Sequence, residues 1–463
     1  MATVLTGRII HSGDPGWAAA IQGFAARVDY AGNAPRVVVF AQNKHDVANA
    51  LKWVREQDVP FRVRAGRHNY QGYSSLVPGG LILDVSEMAS VECDSQTATA
   101  KVGAGIDMLN LSESLSESGL CLPLATGPTV GLGGLVQGGG FGITSRRFGL
   151  MCDNLVSAEL VNAEGEFVTA DAHHNSDLFW AIRGGGGGNF GVATSFEFAT
   201  HAVEMVGVFN INWAWSDFEA VVAGFQNWII AAPEAVTALL TLHVDGTVRV
   251  EGQFTPEPQD LPTFAQAIAP ILAIGTPIQV QALVVPLLVG SRMIFGVDPT
   301  NPEWAIQLHD DDQLFKSTSA IAADPIPLEG ILVMKNYLEN YPRLGVPPSQ
   351  PSMIQLLGGG GTATNVPPET TAVYWRKAAC VVQYDGYWTA PADAQPTIDW
   401  VVAMRQAMLP WAKGAYVNYQ DDQLGPDWLE QYYGGNLDRL RKVKKEVDPG
   451  NFFNFQQSIP PAP

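Results

Sequence analysis

The chain is poor in cysteine, in basic residues and in long apolar runs, and each shortage excludes a class of protein. It has four cysteines in 463 residues and no Cys-x-x-Cys pair, so the sequence indicates neither a disulfide framework nor a zinc site. Lys and Arg number 27 against 46 Asp and Glu, and the net charge of -19 argues against binding to a nucleic-acid backbone. No apolar run reaches the ~18 residues that a membrane span needs.

The remaining composition is typical of a large globular protein. Hydrophobic residues make up 46% of the chain and charged residues 16%, and 463 residues exceed the usual size of a single core, so two or three domains are expected. The first residues, MATVLTGRIIHSGDPGW, lack the basic segment and apolar stretch of a secretory signal. We therefore expect a cytoplasmic protein, although a secreted mature chain would look the same.

Three segments of the chain differ in pattern. Residues 1–202 alternate apolar strands with helices, for example RVVVF (36–40) followed by a helix that Asn43 is expected to cap. Residues 203–410 contain alternating stretches such as VGVFNINWAW and TVRVEGQF, which predict an antiparallel sheet with helices. Residues 411–463 contain YVNYQDD, a basic helix and a proline-bounded end.

Glycine is concentrated in three stretches of the first segment: AGRHNYQGYSS, GPTVGLGGLVQGGGFG and RGGGGGNFG. Glycine-rich loops bring backbone N–H groups close to anionic ligands, so three of them predict a large phosphate-bearing ligand. A formal G-x-G-x-x-G at Gly186, Gly188 and Gly191 precedes a strand-like pattern, VATSFEF, whereas a Rossmann nicotinamide site would open a helix. A nicotinamide cofactor is therefore disfavoured.

His68 lies in the first of these loops, directly after an apolar strand. It could be a satisfied loop histidine, a metal ligand, a catalytic base or an attachment point for a cofactor. A metal site is not expected, because His173 and His174 look like a solvated turn and the acidic run at 309–312 looks like a surface loop.

Four ordered motifs carry a family resemblance: RAGRH, GPTVGLGGLVQGGGFGITSRRFGLMCDN, DLFWAIRGGGGGNFG, and YVNYQDD with DPGNFFNFQQSIPP. From about residue 30 to its end, the chain resembles the berberine-bridge-enzyme-like FAD-linked oxidases of the vanillyl-alcohol oxidase flavoprotein superfamily. The resemblance implies an α+β fold in which residues 1–202 and 411–463 together form a two-part FAD-binding domain. The inserted substrate domain, with an antiparallel sheet plus helices, would be residues 203–410.

The resemblance also implies how FAD is held. His68 falls at the position that bonds covalently to the 8α-methyl group of the flavin, which fixes the ring and raises its redox potential. The implied cofactor-binding residues are Ala65, Gly66, Arg67, His68, Asn69, Gly72 and Ser74 in the first loop, Gly127, Thr129, Val130, Gly133, Gly134, Gly138, Gly140 and Gly142 in the second, and Val192 and Asn418.

Three positions depart from the family pattern. Gly127 stands where many members carry a cysteine bonded to flavin C6, so a single histidyl link and no 6-S-cysteinyl link are predicted; Cys121 and Cys152 are several residues away. Arg67 replaces a second loop glycine. Leu135 stands where some relatives have a histidine near flavin N1.

The resemblance assigns catalysis to tyrosines. Tyr419 would remove a hydroxyl proton and Tyr70 would be a second active-site tyrosine, and a phenolate at working pH would need a nearby cation, the flavin or a hydrogen-bond partner. Val130 falls at the position that controls the access of oxygen to the flavin in relatives, where a valine resembles the oxidases and a larger leucine the dehydrogenases. Aromatic candidates for a sugar platform are Trp213, Trp215, Tyr384, Tyr387 and Trp388, although packing in the core is the commoner fate of such residues.

These observations predict an FAD-dependent oxidase that transfers a hydride from an alcohol-bearing saccharide or secondary metabolite to FAD. O2 then reoxidises the flavin, and H2O2 is the product. The alternatives are a flavin-containing dehydrogenase and a non-redox cyclase. A small-molecule substrate is expected, with no nucleic-acid or membrane partner; the sequence does not indicate an oligomeric state.

Overall fold

A small mixed sheet begins the fold, in a computed structural model that describes residues 3–297, 314–342 and 350–463. Its strands, in spatial order, are β1 (Arg8–His11), β2 (Val37–Phe40), β4 (Leu81–Asp84) and β3 (Phe61–Arg64). β2, β4 and β3 run parallel, so the chain crosses between β2 and β3 through helix α2 (Lys44–Gln57). The Asn43 side chain accepts hydrogen bonds from the backbone N–H groups of His45 and Asp46, which confirms the predicted cap.

Two antiparallel sheets follow in the N-terminal part. The five-stranded sheet consists, in spatial order, of β5 (Val91–Asp94), β6 (Thr99–Gly103), β10 (Val192–Ala199), β8 (Leu155–Val161) and β9 (Phe167–Asp171). The two-stranded sheet pairs β7 (Leu120–Cys121) with β11 (His201–Ala202). The third glycine-rich stretch leads directly into β10, so it precedes a strand as predicted.

Seven antiparallel strands form the largest sheet. In spatial order they are β15 (Pro277–Pro286), β12 (Met205–Trp213), β14 (Val248–Phe254), β13 (Val236–His243), β17 (Met353–Gly358), β18 (Cys380–Trp388) and β16 (Leu314–Ala322). The alternating stretches of residues 203–410 therefore form an antiparallel sheet, as the sequence predicts.

Helices surround these sheets. Besides α2, they are α1 (Trp17–Ile21), α3 (Met108–Glu117), α4 (Leu132–Gln137), α5 (Ser145–Phe148), α6 (Ser176–Ala181), α7 (Phe218–Ala231), α8 (Phe264–Leu272), α9 (Leu287–Ile294), α10 (Leu328–Glu339), α11 (Thr362–Asn365), α12 (Ala394–Met408), α13 (Trp428–Tyr433) and α14 (Leu437–Val447). In the described ranges, none of these is both long and apolar enough to cross a membrane.

Helices α7, α8, α10 and α12 cover one face of the seven-stranded sheet, and α9 packs on part of the other face at Val206 and Val208. Apolar side chains of α7, α10 and α12, such as Phe225, Met334 and Met404, form a core with the sheet. Successive residues of a strand face opposite sides, so Tyr384 belongs to this core while Gln383 and Asp385 face the other way. This second face also lines a cavity.

The two ends of the chain share a hydrophobic core. It contains Val39 and Leu83 of the first sheet together with Tyr416, Leu440 and Ile459. The terminal segment thus packs on the N-terminal part rather than on the seven-stranded sheet alone.

A buried lysine fixes this terminal segment. Lys444 on α14 is 0% exposed, and its Nζ donates to the carbonyls of Asn189 and Phe453 at 2.6 and 2.7 Å and to Asp448 Oδ2 at 2.8 Å. Asp448 is itself 1% exposed. The third glycine-rich stretch and the tail are therefore held by one ammonium group.

Replacing Lys444 should destabilise the protein strongly. Lys444→Met leaves Asp448 as an uncompensated buried carboxylate, which costs about 3–5 kcal/mol, and a large fall in the thermal unfolding temperature is expected. Lys445→Met, on the exposed side of the same helix, should have almost no effect. The double variant Lys444→Met/Asp448→Asn should recover part of the loss; equal losses in the single and double variants would contradict this account.

Candidate active site

A cavity of about 850 Å³ lies between the N-terminal part and the face of the seven-stranded sheet that carries Gln383 and Asp385. Three regions supply most of its lining: the three glycine-rich stretches, the strands β13, β14, β17 and β18, and residues 416–420; Phe24 and Phe315 also line it. Each region of the chain contributes to one continuous space.

The first two glycine-rich loops meet backbone to backbone. A Cβ on Gly66 would lie 2.2 Å from the Gly131 nitrogen, and a Cβ on Gly131 would lie 2.3 Å from the Gly66 nitrogen. A Cβ on Gly133 would lie 2.8 Å from the carbonyl oxygen of Ala104. Only glycine allows such an approach, and the resulting wall of main chain fits a large ligand rich in phosphate and ring groups, as FAD is.

His68 is held in the wall of the cavity. Its Nε2 lies 2.7 Å from Thr129 Oγ1, and its ring stacks on Phe24 with centroids 4.0 Å apart and planes 20° apart. Thr129 belongs to the second loop, so the hydrogen bond joins the two loops at the histidine. The sequence gives no sign of Phe24, which comes from an irregular N-terminal segment.

Most of the predicted site residues line this cavity. They are Ala65, Gly66, Arg67, His68, Asn69, Tyr70, Ser74, Gly127, Thr129, Val130, Gly133, Gly134, Asn418 and Tyr419. Leu135 also lines it, as do Gly187, Gly188 and Gly191 of the third glycine-rich stretch. Arg67 has φ +62°, a conformation that favours glycine, which explains why glycine is usual there.

Five predicted cofactor residues lie behind the wall instead. A Cβ on Gly138 would lie 2.0 Å from Asn418 Oδ1, so this glycine makes room for the asparagine. Gly72, Gly140 and Gly142 would similarly meet Val28, Met151 and Pro123, and Val192 pairs with Val161 in the five-stranded sheet. None of the five is among the residues that line the cavity.

The two predicted catalytic tyrosines face each other. The rings of Tyr70 and Tyr419 stack with centroids 5.7 Å apart and planes 15° apart, and Phe315 packs edge-on against Tyr70 at 5.2 Å. Burial, with the nearby Tyr70, Tyr416 and Asp385, raises the pKa of Tyr419 well above 10. Burial and Asp385 raise the pKa of Tyr70 in the same direction, so both phenols are neutral at physiological pH.

Asp385, which the sequence analysis did not single out, is the carboxylate beside them. It is 1% exposed, and burial raises its pKa to about 6, although hydrogen bonds with Ser317 and Gln383 act to lower the pKa. Tyr387 lines the cavity from the same strand. The alternation of CVVQYDGYW puts Gln383, Asp385 and Tyr387 on one face, but the sequence does not say that this face meets the tyrosines.

Residues next to Tyr419 tie it to the histidine loop. Asn69 Nδ2 donates to Gln420 Oε1 at 2.6 Å, and Gln71 Nε2 donates to the Gln420 carbonyl at 2.8 Å. Asn418 Nδ2 donates to the Leu135 carbonyl at 3.0 Å. The histidine and tyrosine therefore keep a fixed relation to each other.

Other candidates lie elsewhere. Trp213, Tyr384 and Trp388 are buried outside the cavity lining, and Trp215 donates from Nε1 to Glu339 at 2.8 Å, so of these aromatic candidates only Tyr387 lines the cavity. Cys121 and Cys152 are buried away from the cavity, and burial raises the pKa of each thiol to about 12.

No cluster of three metal-ligating side chains occurs within residues 3–297, 314–342 and 350–463. His174 bonds to Asp171 in an exposed turn. The acidic run at 309–312 lies outside the described residues.

Comparison with known proteins identifies the family of this chain. A family model described as FAD binding domain matches residues 35–171, and another described as berberine and berberine like matches residues 415–460. The FAD-linked oxidoreductase YvdP of Bacillus subtilis is 37% identical over 464 residues, covering 100% of this chain and 99% of its own length. The chain belongs to the berberine-bridge-enzyme-like FAD-linked oxidoreductases.

Solved structures show the same fold for this FAD-linked oxidoreductase. Physcomitrella patens BBE-like 1 aligns with a TM-score of 0.89 at 27% identity, covering 98% of this chain and 97% of its own. Chitooligosaccharide oxidase aligns with a TM-score of 0.86 at 25% identity, covering 99% and 98%.

The contact between the two loops gives a test in the FAD-linked oxidoreductase. Gly131→Ala forces the loops apart and should lower the free energy of unfolding by about 1–3 kcal/mol, as overpacking does, with a matching loss of bound flavin. Gly134→Ala is the control for stability, because a Cβ there meets nothing within 4 Å. Thermal unfolding and the flavin-to-protein absorbance ratio measure both effects; equal unfolding temperatures for the two variants would contradict the prediction.

Proposed function

We propose that this protein is an oxidase that transfers a hydride from an alcohol-bearing substrate to FAD attached covalently through His68, with O2 as the final acceptor and H2O2 as product. The observation that carries the proposal is one cavity that joins the His68 loop to the stacked Tyr70 and Tyr419 and to Asp385. FAD supplies the two-electron acceptor when bound. The protein's side chains supply orientation and proton transfer.

The residues present suit the binding of FAD. Main chain of the loops around Gly66 and Gly131 would hold its phosphate groups, and His68, fixed by Thr129, would hold its ring. Gly127 in place of a cysteine supports a single covalent link. Val130 lines the cavity, in keeping with access for oxygen.

Proton removal would be shared between the tyrosines and Asp385. Both phenols are neutral, so they can donate hydrogen bonds to the substrate oxygen and orient it. Asp385, with a pKa of about 6, is ionised at physiological pH and can receive the hydroxyl proton directly or through a phenol. This differs from the sequence hypothesis, in which a nearby cation, the flavin or a hydrogen-bond partner stabilises Tyr419 as a phenolate.

We also propose the two-part arrangement predicted from the sequence, with residues 1–202 and 411–463 forming the FAD-binding domain and residues 203–410 the substrate domain. The core shared by the N-terminal part and residues 416–459 supports this division. A saccharide is the favoured substrate class, supported by the polar face of the sheet in the cavity and by the likeness to chitooligosaccharide oxidase.

The covalent link can be tested with purified protein. Wild-type protein should be yellow, and its flavin should remain in the pellet after acid precipitation; in His68→Ala it should pass to the supernatant or be missing. His243→Ala, which removes another histidine of the cavity wall, should keep its flavin in the pellet. Wild-type flavin released by acid would refute attachment, and flavin kept by His68→Ala would place the bond elsewhere.

The role of Asp385 predicts a pH dependence. A base works only when unprotonated, so kcat/KM should rise tenfold per unit up to pH about 6 and level off above it. Asp385→Asn should lower kcat by about 10²–10⁴-fold and remove this rising limb, while the flavin stays attached. The profile is measured by peroxide formation with saccharides. A limb near pH 6 that persists in Asp385→Asn would exclude Asp385 as the proton acceptor.

A further inference from the structure

A straight row of polar side chains crosses the sheet face that lines the cavity. Gln383 on β18 lies opposite Gln355 on β17, Gln355 lies opposite Thr241 on β13, and Thr241 lies opposite Arg249 on β14. All four line the cavity. Neighbouring strands are ~4.8 Å apart, so the row spans about 14 Å.

The row starts at the proposed reaction centre. Gln383 Nε2 donates to Asp385 at 2.9 Å, and a hydrogen bond between the side chains of Gln383 and Tyr70 also acts on that phenol. Further along, Gln355 Nε2 donates to Thr241 Oγ1 at 3.2 Å. A substrate whose reacting carbon lies by the tyrosines can therefore extend along a continuous polar surface toward Arg249.

Arg249, at the far end of the row, is weakly paired. One guanidinium nitrogen lies 3.4 Å from His243 Nε2, and within the described residues its buried Nε makes no hydrogen bond. The nearest carboxylate oxygen, Glu251 Oε2, is 3.7 Å from Nε, which is an ion pair without a hydrogen bond. Burial raises the pKa of Glu251, so its environment disfavours the charged form.

Arg249 is also the one Lys or Arg that lines the sheet side of the cavity in the described ranges. Arg64 and Arg67 line the loop side, where Arg64 is paired with Asp84. Burial lowers the pKa of His243, which is therefore neutral at physiological pH. A guanidinium presents donors in a planar fork that matches a carboxylate, so an anionic group reaching this end would meet donors with few competing hydrogen bonds.

We infer that Arg249 determines specificity for a substrate that carries a carboxylate about 14 Å from its reacting hydroxyl, the width of three strand spacings. This rests on the proposed function and narrows its substrate class to acidic saccharides or similarly extended hydroxy acids. Glu251 is the opposing group, because whatever negative charge its side chain carries competes with the substrate for the same guanidinium.

Two substitutions should therefore act in opposite directions. The probes are cellotriose and the same trisaccharide with C6 of its non-reducing unit oxidised to a carboxylate, and the measured quantity is the ratio of kcat/KM for the acid to kcat/KM for the neutral sugar. Wild-type protein should prefer the acid. Arg249→Met should bring the ratio near one mainly through KM of the acid, Arg249→Lys should retain part of the preference, and Glu251→Gln should raise the ratio above that of the wild type.

The ratio separates recognition from structural damage, since a misfolded variant loses both activities together. A wild-type ratio near one, or a ratio unchanged in Arg249→Met, would overturn the inference while leaving the oxidase proposal standing. Should neither sugar be oxidised, saccharide oxidation itself fails, and calorimetric binding of the acidic trisaccharide decides the inference. Binding that weakens in Arg249→Met and strengthens in Glu251→Gln would support it, and no binding by the wild type would refute it.

Discussion

The site depends on one ion cluster, in which the buried pair of Lys316 on β16 and Asp421 is joined at the surface by Asp422. Lys316 and Asp421 are 1% and 2% exposed, and the lysine Nζ lies 2.5 and 2.6 Å from the two carboxylates. Thr318 Oγ1 donates to the second oxygen of Asp421. Because buried charges cannot be separated cheaply, the segment that follows Tyr419 has one place against the sheet. The sheet and the histidine loop therefore keep their spacing across the cavity.

Short-range patterns in the sequence were sufficient to predict several helices and strands and the glycine-rich loops that line one side of the site. Asn43 precedes a regular apolar spacing and caps the predicted helix, and alternation identified two strands of the large sheet, β12 and β14. His68 and Tyr419 could be located because short contiguous motifs surround them, and the structure brings both to one cavity. In these cases the residues that determine the structure are neighbours in the chain.

The sheet side of the site could not be predicted in the same way. Alternation shows that Tyr384 and Asp385 face opposite sides, but which side is covered by helices depends on packing between distant segments. The row ending at Arg249 depends on the register between β13 and β17, which are more than a hundred residues apart in the chain. Trp213 and Trp388 were plausible platform residues by type, and register places them outside the cavity lining.

Strand β18 links proton transfer to substrate position. Tyr70 and Tyr419 are kept neutral by burial, so the negative charge of the reaction centre resides on Asp385 before substrate arrives. In the proposed reaction, a proton leaving a hydroxyl held by the phenols moves toward this carboxylate at any pH above about 6. Gln383, two residues earlier, bonds to Asp385 and begins the polar row. A shift of the substrate along the row would also move its hydroxyl relative to the proton acceptor, so binding at the far end and chemistry at the near end are coupled through a rigid strand.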